Sequence, residues 1–188
     1  MPVYISILRG INVSGQKLIK MAALKSMYED LGFNRVTTYV QSGNVVFTEE
    51  ETHPDILKQK IFDRIKQNFG FEVPVIVLTI DKLKHIVDSN PLLKEPNKEE
   101  SFLHVTFLSS VPDRLNFTTI EEKKQPGEEV FLSDDAVYLY CPNGYGRTKL
   151  TNNFLETKLK TGATTRNWKT TNELLKIAQE VTNEPSTL

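Results

Sequence analysis

Apolar and polar positions in this chain follow two periods in turn, and the switches between them predict most of its elements. Residues 3–8 are β-branched, aromatic and alternating, and read as a strand. Met21, Leu24, Tyr28 and Leu31 recur at helical spacing, with Gly32 placed to end the helix. Residues 36–40 and 45–47 read as strands around the turn-forming QSGN at 41–44. Leu57, Ile61, Ile65 and Phe69 predict a second helix, with Thr52 as its cap, Pro54 in its first turn and Gly70 as its stop. Residues 73–79 are another strand, so the order is β-α-β-β-α-β.

Leu83, Ile86 and Val87 mark a short linking helix that Asn90-Pro91 stops, and residues 94–100 are polar, charged and the expected boundary. The order then repeats. Residues 103–109 read as a strand, and Pro112 opens a short helix around Leu115. Residues 129–132 and 136–141 are strands joined by Ser133-Asp134-Asp135. Leu150, Phe154, Leu155 and Leu159 lie on a helix that Gly162 ends. Residues 163–165 form a last short strand, followed by a helix carrying Leu174, Ala178 and Val181, with a capping box at Thr170-x-x-Glu173. The fold class expected is therefore α+β, with two ferredoxin-like βαββαβ lobes in tandem. Residues 1–80 form the first lobe, 81–100 the linking helix and polar linker, and 101–188 the second lobe with its C-terminal helix.

Composition narrows the chemistry. Among 188 residues the net charge is -1, so attraction to a polyanion or an anionic membrane has to come from a local patch. The longest apolar runs fall well short of the roughly 20 residues that span a bilayer, and the start of the chain lacks the pattern of a signal peptide. A single cysteine, Cys141, excludes an internal disulfide and fits a reducing compartment. The expected location is cytoplasmic, with no membrane partner, no metal and no cofactor. His53, His85 and His104 fall on different elements without metal-ligand spacing, and GYGRTK at 144–149 is not a phosphate-binding GxxxxGK[ST] loop. A lone strand cysteine reads as a small buried hydrophobe.

Four polar clusters remain. Arg9, Gly10 and Asn12, followed by Lys17, leave the first strand; an arginine beside a glycine can grip an anion close to the backbone, or merely accompany a bulge. The QSGN turn reads most simply as structural. Tyr145, Arg147 and Lys149 lie just before a helix, where free N–H groups favour anions and unaccompanied cations are disfavoured. Arg166, Asn167 and Trp168 combine a cation, an amide and the sole tryptophan, which can stack a base or a sugar but reads more simply as packed core. With strands one and three of each lobe taken as parallel, Arg9–Lys17 falls at the opposite end of its lobe from the QSGN turn. On the same basis 144–149 lies opposite 166–168, so the clusters are not expected to converge.

The stretches LRGIN, TYVQSGNVVF, GRTKLTNNFLE and ATTRNWKT, in this order, resemble the signature segments of the bacterial domain of unknown function 1697 family. The resemblance covers about Val3 to Leu175. It implies two ferredoxin-like halves and supplies no catalytic residues. The leading expectation is a binding module for an anionic ligand, a nucleotide or nucleic acid, held by Arg147, Lys149 and Arg9, with Lys17 as a further candidate. The alternatives are an enzyme on a phosphorylated or nucleotide substrate, with Tyr145 or a carboxylate as proton donor, and a protein–protein interaction domain. The sequence leaves the oligomeric state open.

Overall fold

A computed structural model describes residues 1–183. The chain divides into two compact units, Met1–Lys84 together with the chain from Glu173 on, and His85–Asn172. Each contains one four-stranded antiparallel sheet with helices.

In the first unit β1 (Val3–Leu8), β2 (Asn34–Tyr39), β3 (Asn44–Thr48) and β4 (Val75–Thr79) lie in the order β2-β3-β1-β4. Helices α1 (Met21–Asp30) and α2 (Pro54–Phe69) pack Leu24, Met27, Tyr28, Leu57, Ile61 and Ile65 against Tyr4, Leu8, Val45 and Phe47 of the sheet. The Phe47 ring stacks on Phe33 at 4.5 Å and meets Tyr28 edge-on at 5.5 Å. Ser6 is fully buried and hydrogen-bonds the Tyr28 hydroxyl at 2.8 Å, which satisfies both groups in an apolar setting. All six residues of β1 are buried, so both of its faces are covered. Gly70 ends α2 at a left-handed φ of 80°, as expected, but the helix is capped by the His53 ring rather than Thr52.

The second unit repeats the arrangement. β5 (Leu103–Leu108), β6 (Glu129–Leu132), β7 (Ala136–Tyr140) and β8 (Ala163–Asn167) lie in the order β6-β7-β5-β8. Along the chain α3 (Ile80–Asp88) follows β4, and α4 (Phe117–Glu122), α5 (Asn152–Leu159) and α6 (Trp168–Asn183) complete the set. Leu108, Val137, Leu139, Cys141, Leu155 and Leu159 are the heart of this core. Lys98 holds the polar stretch before β5 onto this unit, paired with Glu129 and Glu95 and lying 4.4 Å over the Tyr140 ring.

Several local expectations are corrected. The helix predicted around Leu115 begins at Phe117, and Leu115 stands exposed. Lys160, at φ 53°, is the left-handed end of α5, while Gly162 is needed for packing: a Cβ there would lie 2.7 Å from Ser109 Oγ. Arg166 and Asn167 belong to β8 itself, and α6 starts at Trp168, capped by the Asn167 side chain, which accepts from Thr170 N–H at 2.8 Å. The capping box at Thr170 is thereby displaced into the helix.

The larger correction concerns direction. β1 pairs antiparallel with β3, and β5 with β7, because each helical crossover returns the chain to a strand two places away. The first and third strands of each unit are not parallel. The loop leaving β1 and the turn entering β3 therefore share one end of the first sheet. Likewise β7 and β8, both antiparallel to β5, finish at the same end of the second.

Candidate functional site

At that end of the first unit, Asn12 joins two sequence motifs. Its Nδ2 donates to Gln41 O at 2.8 Å and to Ile19 O at 3.0 Å, and its Oδ1 accepts from Ile19 N–H at 2.9 Å. The RGIN loop and the QSGN turn are thus stitched together by one amide. Asn12 takes φ 55°, which Asn tolerates better than most residues. Leu8 N–H donates to Gly43 O at 2.8 Å, and Asn44 closes the turn through Tyr39 O at 3.0 Å and Ser42 Oγ at 3.1 Å. Gly43, at φ 86°, is buried against Ile11: a Cβ would lie 2.6 Å from Ile11 Cδ1 and 2.9 Å from Leu8 Cβ. Gly10 also has positive φ, but open space surrounds it. Lys17 reaches across to donate to Glu72 O at 2.7 Å, and Arg9 is half-buried with its backbone N–H on Pro74 O.

In the second unit the tail of β7 leads through Gly144 (φ 92°) into a 3-10 turn at Tyr145–Arg147. The Tyr145 ring stacks on His104 of β5, centroids 4.8 Å apart. His104 Nδ1 hydrogen-bonds Phe102 O at 3.2 Å, and desolvation holds the imidazole pKa below its ordinary value of 6.5. His104 is the register partner of Asn167. A hydroxyl chain pins the start of α5 to the sheet: Thr106 Oγ1 to Thr165 Oγ1, then Thr165 Oγ1 to Asn152 Oδ1, each at 2.7 Å. Thr151 caps α5 by accepting from Phe154 N–H, and Thr148 accepts from Leu150 N–H. Arg147 and Lys149 are exposed, and their side chains bond to nothing among the described residues. The first turn of α5 has no acidic residue.

Arg166 differs from those two cations. It is only 9% exposed and donates to Thr165 O at 3.0 Å, and burial brings its pKa down to about 10, against the opposing influence of Tyr145. Its register partner is Val105, so it stands on the opposite sheet face from Asn167. Trp168 is buried at 4% exposure. Cys141 is buried too. Desolvation, with Glu128 nearby, pushes its thiol up to about 11, while a hydrogen bond from Thr148 opposes the rise. A thiol held protonated in this way is not an activated nucleophile. Among the described residues, no group of three or more His, Cys, Asp or Glu side chains can hold a metal.

Within each unit, then, the structure brings together polar clusters that the expected strand directions kept apart. Sequence reasoning missed His104 as the partner of Tyr145, and Thr106, Asn152 and Thr165 as the pins of α5. Their association depends on strand register, for which no local signal exists.

The family model described as protein of unknown function (DUF1697) matches residues 1–138, and the chain belongs to that family. Among solved structures it is similar to the conserved bacterial protein SP0830 from Streptococcus pneumoniae. The likeness has a TM-score of 0.70 and 20% identity, over 94% of this chain and 98% of that one. At that identity the likeness speaks to the fold alone. No curated protein matches the chain. No described helix is long and apolar enough to cross a membrane.

Proposed function

We infer that the protein is a cytoplasmic binding module of two ferredoxin-like halves, and that its second half takes a phosphate-bearing ligand, a nucleotide or nucleic acid, at the entry to α5. One observation carries the reading. Arg147 and Lys149 project from the helix entry with no partner among the described residues, where the macrodipole disfavours positive charge. An anion bound at the exposed backbone around Gly146 would reconcile them with the free N–H groups of the first turn. Tyr145, held against His104 and the core of this unit, fixes the start of the loop. Asn12, Lys17, Arg166 and Asn167 contribute as framework, since their polar atoms are engaged in holding loops, strand and cap.

The test is a thermal-shift and binding series with inorganic phosphate, ATP and a short single-stranded oligonucleotide. A ligand bound only to the native state raises Tm with concentration. The wild type should respond and the double variant Arg147→Ala, Lys149→Ala should respond less, with its ligand-free Tm unchanged or slightly higher. For the oligonucleotide, affinity should fall with salt, and the double variant should show a shallower log–log slope. Equal shifts in both proteins across all three probes would refute the site.

A further inference from the structure

Each four-stranded sheet ends in two edge strands, and an edge is a row of unpaired amides and carbonyls that folded proteins cover or block. Three of the four edges are managed here. Residues 75–78 of β4 are buried. β2 carries a bulge between Asn34 and Thr37, and Arg35 within it donates to Val181 O at 2.9 Å. On β8, side chains take up the backbone: Ala163 N–H donates to Glu156 Oε1 at 2.9 Å, and Thr165 O accepts from Arg166 Nη1 at 3.0 Å. These are outward groups. Ser109 N–H bonds Gly162 O and the ladder alternates, so Ala163, Thr165 and Asn167 face away from β5.

β6 is the exception. Ser133 N–H donates to Ala136 O at 2.9 Å, which makes these two a hydrogen-bonded pair. By alternation Glu129 and Phe131 face β7, while the N–H and C=O of Val130 and Leu132 face away from it. No hydrogen bond within the described residues takes up those outward groups. Val130 is nonetheless buried, and unpaired backbone in a buried residue is rare in folded proteins. A groove of about 290 Å³ lies between α4 and β6, lined by Phe117, Glu121 and Lys124 of α4 and by residues 129–132. Phe131 is exposed on the other sheet face, and the charge on the strand, Glu129, is already paired with Lys98.

We propose that β6 pairs antiparallel with β6 of a second copy of this chain, about a twofold axis at Phe131, joining two four-stranded sheets into one. The backbone fixes the kind of occupant, because outward N–H and C=O groups at alternate residues are matched by an extended strand. Symmetry then fixes which strand. Facing residues of an antiparallel pair share a sheet face, so a twofold normal to the sheet has to centre on a residue. Centred on Phe131, it sets Val130 opposite the second copy's Leu132 and Leu132 opposite its Val130, and every outward group of both residues is bonded. Phe131 meets its own counterpart in the non-hydrogen-bonded position, where side chains come closest and an aromatic pair stabilises the ladder. The charges agree as well. The groove carries both signs, Glu121 and Lys124, so a twofold copy brings a cation for each anion. A foreign strand satisfies the backbone but gains neither the Phe131 pair nor this charge match. The edge is short, at the low end of interface sizes, so association depends on concentration.

The experiment is sedimentation equilibrium of the full chain from about 1 μM to about 1 mM, with amide hydrogen exchange at both ends of that range. The wild type should pass from monomer to dimer, and the Val130 and Leu132 amides should gain protection as it does. Phe131→Lys replaces the central pair by like charges and should weaken association by about tenfold, while circular dichroism and melting of the dilute protein stay as in the wild type. Lys124→Glu should also weaken it, and adding Glu121→Lys to that variant should restore it. The proposal is overturned if the chain stays monomeric throughout, if Phe131→Lys associates as the wild type does, or if dimerisation leaves the two amides unprotected. A dimer that Lys124→Glu weakens and the added Glu121→Lys fails to restore overturns it too.

Discussion

Substituting alanine at Gly43 isolates the contact that brings the RGIN loop and the QSGN turn together. Two penalties act there. A left-handed φ of 86° costs an alanine about 1–2 kcal/mol. The added Cβ would also sit 2.6 Å from Ile11 Cδ1 and 2.9 Å from Leu8 Cβ, both on buried residues, and such overpacking costs about 1–3 kcal/mol more. Gly10→Ala is the control. It shares the positive φ, at 73°, but its Cβ would meet nothing within 4 Å. Both substitutions reduce the freedom of the unfolded chain equally, by about 0.4–1 kcal/mol, so that effect cancels in the comparison. Gly43→Ala should therefore be less stable than Gly10→Ala by about 1–3 kcal/mol, a large share of a typical stability of about 5–15 kcal/mol. Urea unfolding followed by circular dichroism measures both midpoints, with the slopes checked for constancy. If the two variants unfold at the same midpoint, Ile11 does not seat on the turn, and the convergence of the two motifs is wrong.

Two further outcomes are expected. Trp168→Ala should cost about 3–5 kcal/mol by denaturant unfolding, as removal of a buried ring does, and a loss below about 1 kcal/mol would contradict its burial. His104 has a pKa below 6.5 in the fold, so below pH 6.5 the unfolded chain binds the proton more readily; stability should be full above that pH and fall as the solution is acidified. His104→Gln should flatten the melting-temperature profile between about pH 5 and 7, and an unchanged slope there would assign the acid sensitivity to other groups.

Strands and helices were legible wherever periodicity was strong. Val3–Leu8 and Glu129–Leu132 occur as the alternation predicts, α1 and α2 lie where their i, i+3 and i, i+4 apolar residues put them, and Gly70 stops α2. Ends were less legible where a neighbour outside the segment decides them. Asn167 caps α6 only because β8 extends that far against β5, and Lys160 rather than Gly162 takes the left-handed conformation that ends α5. The candidate site was legible as residue types and not as an arrangement. Arg147 and Lys149 stand exposed at a helix entry, whereas Arg166, of the same charge, is buried in a strand.

Element order and the location of the polar loops belong to the sequence by itself, because side-chain period and turn chemistry act over a few residues. Which loops meet belongs to the tertiary structure. Asn12 finds Gln41, and Tyr145 finds His104, only once β1 lies antiparallel to β3 and β5 to β7. That pairing is set by burial of whole sheet faces and by the route of each helical crossover, and both are properties of the assembled unit that no local window of residues contains.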